Sequence, residues 1–88
     1  AENKTYELID VREIGEHQKG NAGGRNIPLS TLNLYLNELA DLKRPLVFYC
    51  KSGQRSGRAV HDLLEDHKDL NIEAFSLEGG MNARPSPT

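Results

Sequence analysis

The apolar run Leu46–Tyr49 constrains the fold of this chain more than any other feature. Its four residues are rich in strand formers, and Cys50 comes directly after them. Such a run predicts a strand that is buried on both faces. Apolar residues at helical spacing follow from about residue 56 to about residue 67. The strand is therefore predicted to lead through a short loop into a helix, which is the unit from which parallel sheets are built.

Three further strands are predicted at residues 6–11, 25–27 and 71–77. Ser30 is the expected N-cap of a helix that runs to residue 42, and residues 12–19 allow no more than a short helical turn. Strands that alternate with helices predict an α/β fold with a mainly parallel central sheet covered on both faces. Ligands of such sheets bind at the carboxyl ends of the strands, which is where Cys50 stands.

The length of 88 residues predicts one domain over residues 1–88, with a core from about 6 to 83 and a disordered tail at 84–88. A net charge of −2 argues against binding to nucleic acid, and no apolar run approaches the ~20 residues of a membrane span. We see no secretory signal and expect a cytoplasmic protein. The single cysteine excludes an intramolecular disulfide, and the histidines lack metal-like spacing, so no metal site is predicted.

The loop after Cys50 carries the features of an anion site. Lys51 and Arg55 bring positive charge, Gly53 permits a tight turn, and the predicted helix turns its first N–H groups toward the loop. The remaining members of this predicted anion-binding loop are Ser52, Gln54 and Ser56. The same field favours a thiolate and lowers the pKa of a cysteine. The alternative is that Cys50 is a small buried apolar residue with no chemistry of its own.

Five segments together resemble the rhodanese family of single-domain sulfurtransferases, over about residues 7 to 83. Each of them is weak alone, but all five occur in order and at the right separations. They are Leu8–Glu13 (LIDVRE), Asn26–Leu29 (NIPL), Val47–Cys50 (VFYC), Cys50–Ser56 (CKSGQRS) and Leu77–Gly80 (LEGG).

The resemblance implies a three-layer α/β/α fold, minimal at both termini, and a Cys50 that carries sulfane sulfur as a persulfide. A donor such as thiosulfate would load Cys50, and cyanide, a thiol or a partner protein would unload it, without a metal or an organic cofactor. Lys51 and Arg55 would hold the anionic donor and the thiolate, while the amides from Lys51 to Ser56 surround the sulfur. The alternative is a non-catalytic rhodanese-like module that binds partners or senses redox state.

Loop length separates this family from related phosphatases and arsenate reductases. Those enzymes place five residues between the cysteine and the arginine, whereas four residues lie between Cys50 and Arg55. The smaller ring suits a single sulfur atom better than a tetrahedral phosphate. The spacing therefore favours sulfur transfer.

The chain departs from the family at residues 20–24. Gly-Asn-Ala-Gly-Gly replaces the usual Gly-His-Ile-Pro-Gly-Ala, and Asn21 stands where the histidine would be. This variation is similar to rhodanese domains fused behind adenylating enzymes of molybdopterin and thiamine sulfur metabolism, which suggests a sulfur-carrier or adenylating protein as a partner. The sequence leaves open the role of this segment, the physiological donor and acceptor, and the oligomeric state.

Charged residues outside the loop are interpreted as structural. Asp10 and Arg12 are predicted to form an ion pair that fixes the turn after the first strand. Arg25 is interpreted as a solvated loop charge, with the pocket rim as the alternative. Three histidines are expected to face solvent or to pack without chemistry, namely His17, His61 and His67.

Overall fold

Four parallel strands form the sheet in a computed structural model that describes residues 6–77. The strands are β1 (Glu7–Asp10), β2 (Arg25–Asn26), β3 (Leu46–Tyr49) and β4 (Ala74–Ser76). Their order across the sheet is β2-β1-β3-β4, so the two longest strands lie at the centre. The prediction of an α/β fold with a parallel sheet is confirmed.

Three α-helices connect the strands. They are α1 (Ile14–Lys19), α2 (Leu36–Asp41) and α3 (Gln54–Asp66). Two 3₁₀ segments, Leu29–Tyr35 and Lys68–Leu70, complete the connections. The short helix α1 agrees with the expected helical turn, and a reciprocal capping box between Glu13 and Glu16 closes its first turn.

The two faces of the sheet are covered by different elements. Ile9 pairs with Phe48 in register, and both side chains enter the main core together with residues of α2 and α3. Asp10 points to the opposite face because side chains alternate along a strand, and there it contacts His17 of α1. The sheet therefore lies between α1 on one side and α2 and α3 on the other, which gives the three-layer arrangement.

The predicted helix from Ser30 to residue 42 is wrong in its first half. Residues 29–35 form a 3₁₀ segment, and Ser30 lies within it as an exposed residue rather than an N-cap. The Leu29 N–H donates to the Val11 carbonyl at 3.0 Å, and the Thr31 N–H donates to the Pro28 carbonyl at 2.9 Å. These contacts tie the start of the segment to the end of β1 and favour i to i+3 turns over an α-helix.

Two other boundaries also differ from the predictions. Helix α3 begins at Gln54, two residues before the predicted start at 56, because Gly53 adopts a left-handed φ of 99° and makes the turn itself. Strand β4 begins at Ala74 rather than 71, because Asn71 has a φ of 56° that no strand accommodates. The last three residues of the Leu77–Gly80 segment, the core limit at 83 and the tail at 84–88 lie outside the described residues.

Candidate active site

Cys50 directly follows β3 and lies beneath the start of α3. The residue is 1% exposed, and its Sγ accepts the backbone N–H of Gly53 at 3.1 Å and that of Ser56 at 3.3 Å. The left-handed backbone at Gly53 bends the loop back over the sulfur, and the first N–H groups of a 13-residue helix then point at it. Such unpaired N–H groups favour negative charge, so the cradle stabilises a thiolate.

The pKa of Cys50 reflects two opposing effects. Burial raises the pKa, but hydrogen bonds from the Ser56 amide and hydroxyl, and from the amides of Gly53 and Arg55, outweigh it. The pKa of the thiol therefore lies below its ordinary value. A thiolate is the nucleophilic form of cysteine, so the geometry prepares this sulfur for attack.

Two serine hydroxyls extend the cradle toward the edge of the sheet. Ser56 is fully buried, with its Oγ 3.6 Å from the Cys50 sulfur and 2.7 Å from the Oγ of Ser76 on β4. The sequence predicted Ser56 as part of the loop but did not identify Ser76. A residue 20 positions further along the chain reaches the site only through the pairing of β4 with β3.

The two cations of the loop, which the resemblance implies would hold the donor and the thiolate, have different surroundings. Lys51 is exposed, as are Ser52 and Gln54. The Arg55 guanidinium donates to Glu16 of α1, with Nη1 2.9 Å from Oε1 and Nη2 3.3 Å from Oε2. The structure therefore brings Gly53 and Ser56 to the sulfur as predicted, and adds Glu16 as a partner of Arg55.

A buried network supports the base of the site, and its ion pair was predicted correctly. Asp10 is 0% exposed and accepts from Arg12 Nε at 3.0 Å, Arg12 Nη2 at 2.8 Å and the Arg12 amide at 2.9 Å. Burial raises the pKa of Asp10, but hydrogen bonds from the side chains of Arg12 and His17 and from the Arg12 amide hold it below its ordinary value. Asp10 and Arg12 therefore form a fully hydrogen-bonded buried pair.

His17 packs against the end of β1, which is one of the two expected roles, but it does so through a polar contact that the sequence did not indicate. Its Nδ1 lies 2.8 Å from Oδ2 of Asp10. An ionised carboxylate only accepts hydrogen bonds, so Nδ1 carries the proton and donates it. Helix α1 is thereby fixed to the end of β1, and the position of Glu16, one residue before His17, is fixed with it.

The unusual segment at residues 20–24 is held by its own contacts. Asn21 donates to the His17 carbonyl at 2.9 Å and accepts the Gly23 N–H at 2.9 Å, so it closes the end of α1. The buried Tyr49 hydroxyl accepts from the Ala22 N–H at 3.0 Å and donates to the Gly23 carbonyl at 2.8 Å. Asn21 therefore has a structural role here.

Arg25, just beyond this segment, pairs with Glu38 at 3.0 Å on the surface, in agreement with a solvated charge. Among residues 6–77, no group of three or more His, Cys, Asp and Glu side chains is placed to hold a metal ion. None of the helices in this part of the chain is long and apolar enough to cross a membrane.

Comparison with known proteins decides the family. The model of the rhodanese-like domain matches residues 1–84. The chain belongs to the rhodanese-like domain family. Rhodanese-like relatives include the thiosulfate sulfurtransferase GlpE of Shewanella oneidensis, which is 31% identical over 84 residues, 94% of this chain and 79% of GlpE. The uncharacterized protein YqhL of Bacillus subtilis is 44% identical over 76 residues, 85% of this chain and 57% of YqhL.

Solved structures agree with this rhodanese-like assignment. SSP1007 of Staphylococcus saprophyticus superposes with a TM-score of 0.75 at 28% identity, over 92% of this chain and 77% of SSP1007. Reduced CoADR-RHD of Bacillus anthracis gives a TM-score of 0.71 at 32% identity, over 85% of this chain. The chain spans 57% of YqhL and 13% of CoADR-RHD, so both relatives are longer than this rhodanese-like domain.

Proposed function

We propose that this domain is a sulfurtransferase in which Cys50 cycles between a thiolate and a persulfide. The observation that carries the proposal is the cradle around the sulfur, in which the amides of Gly53 and Ser56 donate directly to Sγ. The lowered pKa of Cys50 follows from the same contacts. The similarity to a thiosulfate sulfurtransferase at 31% identity supports thiosulfate as a donor.

The reaction divides into two displacements at sulfur. The Cys50 thiolate attacks the outer sulfur of thiosulfate, a new S–S bond forms, and the S–S bond of thiosulfate breaks as sulfite leaves with the electron pair. A thiophilic acceptor such as cyanide or a thiolate then attacks the terminal sulfur of the persulfide, and the Cys50 thiolate leaves. Both steps begin and end with one negative charge on the enzyme sulfur, which the surrounding N–H groups stabilise.

Burial of Cys50 limits the substrates that fit. A residue that is 1% exposed is reached by a projecting single sulfur atom more easily than by a bulky electrophile. The ring from Cys50 to Arg55, with four residues between them, is also small for a phosphoryl group. Sulfane donors therefore suit the site better than phosphate esters, and a chromogenic phosphate ester should not be hydrolysed.

Mass spectrometry of the intact protein tests the proposal directly. The chain has one cysteine, so any sulfur gained must be carried by Cys50. After treatment with thiosulfate and removal of excess reagent, we expect a mass increase of one sulfur atom, which cyanide then removes with release of thiocyanate. Cys50→Ser should retain its fold and gain no sulfur. An unmodified wild-type protein under these conditions would exclude the proposed reaction.

The burial of Cys50 and the engagement of Arg55 by Glu16 favour one second candidate, a rhodanese-like module that binds a partner without catalysis. Such a module would keep the fold but would not form a persulfide. The same mass measurement therefore separates the two functions. A sulfur-carrier or adenylating protein is the kind of partner proposed in either case, as acceptor in the first and as binding partner in the second.

A further inference from the structure

The carboxylate of Glu16 binds the guanidinium of Arg55, which is the group that an anionic donor would need. Both carboxylate oxygens contact Arg55, at 2.9 Å and 3.3 Å, and Oε1 also accepts the Glu13 N–H at 3.0 Å. The hydrogen bond from Arg55 is the largest effect on the pKa of Glu16 and lowers it, so the carboxylate stays ionised. The capping box holds the carboxylate in this position from the side of its own helix.

Arg55 lies in the first turn of α3 and directly precedes Ser56, whose backbone N–H donates to the Cys50 sulfur at 3.3 Å. The hydrogen bond to Glu16 raises the pKa of Arg55 most, and the charge of the Cys50 thiolate raises it further. Bound to Glu16, the guanidinium forms a neutral pair, and its attraction for a further anion is reduced. A donor that carries negative charge must therefore displace Glu16, or share Arg55 with it, before the donor sulfur reaches Cys50.

We propose that Glu16 is a specificity-determining residue that competes with anionic donors for Arg55. The proposal rests on the sulfur-transfer function above and adds a donor preference to it. The penalty imposed by Glu16 increases with the charge of the donor. The site therefore disfavours small dianionic donors such as thiosulfate relative to donors with one charge, such as an alkyl persulfide.

The size of the effect follows from the exposure of the pair. The side chains of Arg55 and Glu16 are 37% and 40% exposed, so water screens their attraction. Exposed pairs of this kind are weak, and their loss changes an equilibrium by about two- to fivefold. Glu16 therefore tunes donor choice without blocking the site, and the tuning should weaken as salt concentration rises.

Glu16→Gln is the variant that isolates the charge. The amide oxygen still accepts the Glu13 N–H, so the capping contact of α1 is retained. Glu13→Gln is the matched control, because it removes the same charge from the same end of α1. The side chain of Glu13 accepts the amide N–H of Glu16. The described hydrogen bonds and ion pair of the Arg55 guanidinium involve Glu16 and not Glu13.

Steady-state assays with two donors test the proposal. With thiosulfate, Glu16→Gln should lower KM by about two- to fivefold relative to both wild type and Glu13→Gln, in line with a weak exposed pair. With hydroxyethyl persulfide, a monoanion, the change should be smaller. A KM for thiosulfate that rises in Glu16→Gln would mean that Glu16 orients Arg55 productively, and it would overturn the proposal. An equal change of KM in Glu13→Gln would mean that the effect comes from net charge alone, and it would also overturn the proposal.

A binding measurement keeps this test separate from the test of sulfur transfer. In a Cys50→Ser background no persulfide forms, and thiosulfate affinity can be read from the side-chain N–H resonances of Arg55. Glu16→Gln in that background should bind thiosulfate about two- to fivefold more tightly than the parent. Unchanged affinity would overturn the competition even if the wild type transfers sulfur. Tighter binding of thiosulfate would support the competition even if the wild type does not transfer sulfur.

Discussion

The hydroxyl of Ser76 lies 2.7 Å from the hydroxyl of Ser56, which in turn lies 3.6 Å from the sulfur of Cys50. The two serines come from β4 and α3, so the contact joins the last described strand to the helix that begins above Cys50. A thiolate only accepts hydrogen bonds, so Ser56 must then donate to the sulfur and is free to accept from Ser76. With a thiol the direction reverses, because S–H donates to Ser56 and Ser56 donates to Ser76.

Ser76→Ala should therefore make the thiolate harder to form. In this variant the Ser56 hydroxyl no longer accepts a hydrogen bond from Ser76. The Gly53 carbonyl, 3.3 Å away, then competes with the sulfur for the hydrogen of Ser56. At about pH 6.5, below the ordinary cysteine pKa of ~8.5, persulfide formation should slow by about two- to fivefold, the worth of one weakened hydrogen bond. At about pH 9.5 the rates of variant and wild type should converge, because both sulfurs are then ionised.

The pH profile distinguishes this role from a purely structural one. A general loss of packing would slow the reaction equally at every pH. Ser30→Ala serves as the control, since Ser30 is an exposed hydroxyl in the first 3₁₀ segment and takes no part in the described hydrogen bonds to the sulfur. A rate ratio between Ser76→Ala and wild type that is the same at both pH values would contradict the prediction.

The acid limit of stability should depend on His17. Asp10 has a pKa held below its ordinary value, so it stabilises the fold above the unfolded pKa of ~3.9, and that contribution is lost as pH falls through the folded pKa. Its hydrogen bond with His17 is one of the causes. His17→Ala should lower the free energy of unfolding at about pH 5 by about 1–2 kcal/mol, as expected for a partly exposed bond to a charged group.

Urea denaturation between about pH 5 and pH 3 measures this effect. An unfolded histidine has a pKa of ~6.5, so it titrates above this range. The difference between wild type and His17→Ala should shrink as the pH falls through the folded pKa of Asp10, which lies below its ordinary value. His61→Ala is the control, because His61 is exposed on α3 and lies 3.8 Å from the carboxylate of Asp62. A difference that stays constant over this range would show that the His17 bond does not act through the charge of Asp10.

Strand β3 and the position of Cys50 at its carboxyl end were predictable because both depend on local signals. The run Leu46–Tyr49 is apolar on consecutive residues, and it forms β3 at the centre of the sheet with Cys50 at its carboxyl end. Gly53 is the only residue of the loop without a side chain, and it takes the left-handed conformation that the turn requires. Each of these features is determined by a few adjacent residues.

The partners of the site were not predictable in the same way. Glu16 meets Arg55 across 39 positions of sequence, and Ser76 meets Ser56 across 20. Both contacts depend on how elements pack, since α1 must return to the end of β1 and β4 must pair in register with β3. A single sequence contains no signal for such long-range contacts between polar residues of kinds that are common on protein surfaces. The 3₁₀ start at Leu29 was missed for a related reason, because its hydrogen bond to Val11 is tertiary.

Gly24 is expected to be the least replaceable glycine of the loop before β2. Its φ of 81° is left-handed, and a Cβ at this position would overlap the backbone carbonyl of Leu8 in β1. Gly23, next to it, has a similar φ of 100° but open space around a Cβ. The two positions therefore share backbone strain and differ in the steric overlap.

Replacement by alanine should separate these two costs. Gly23→Ala should lower the free energy of unfolding by about 1–2 kcal/mol, the cost of a left-handed residue with a Cβ. Gly24→Ala should lose about 1–3 kcal/mol more, because the Leu8 backbone has to move away from the new methyl group. Gly57→Ala in α3 should instead stabilise by about 0.5–1 kcal/mol, since it has open space and a helical backbone. Urea denaturation of the three variants provides the comparison, and equal losses at Gly23 and Gly24 would contradict the close approach of the loop to β1.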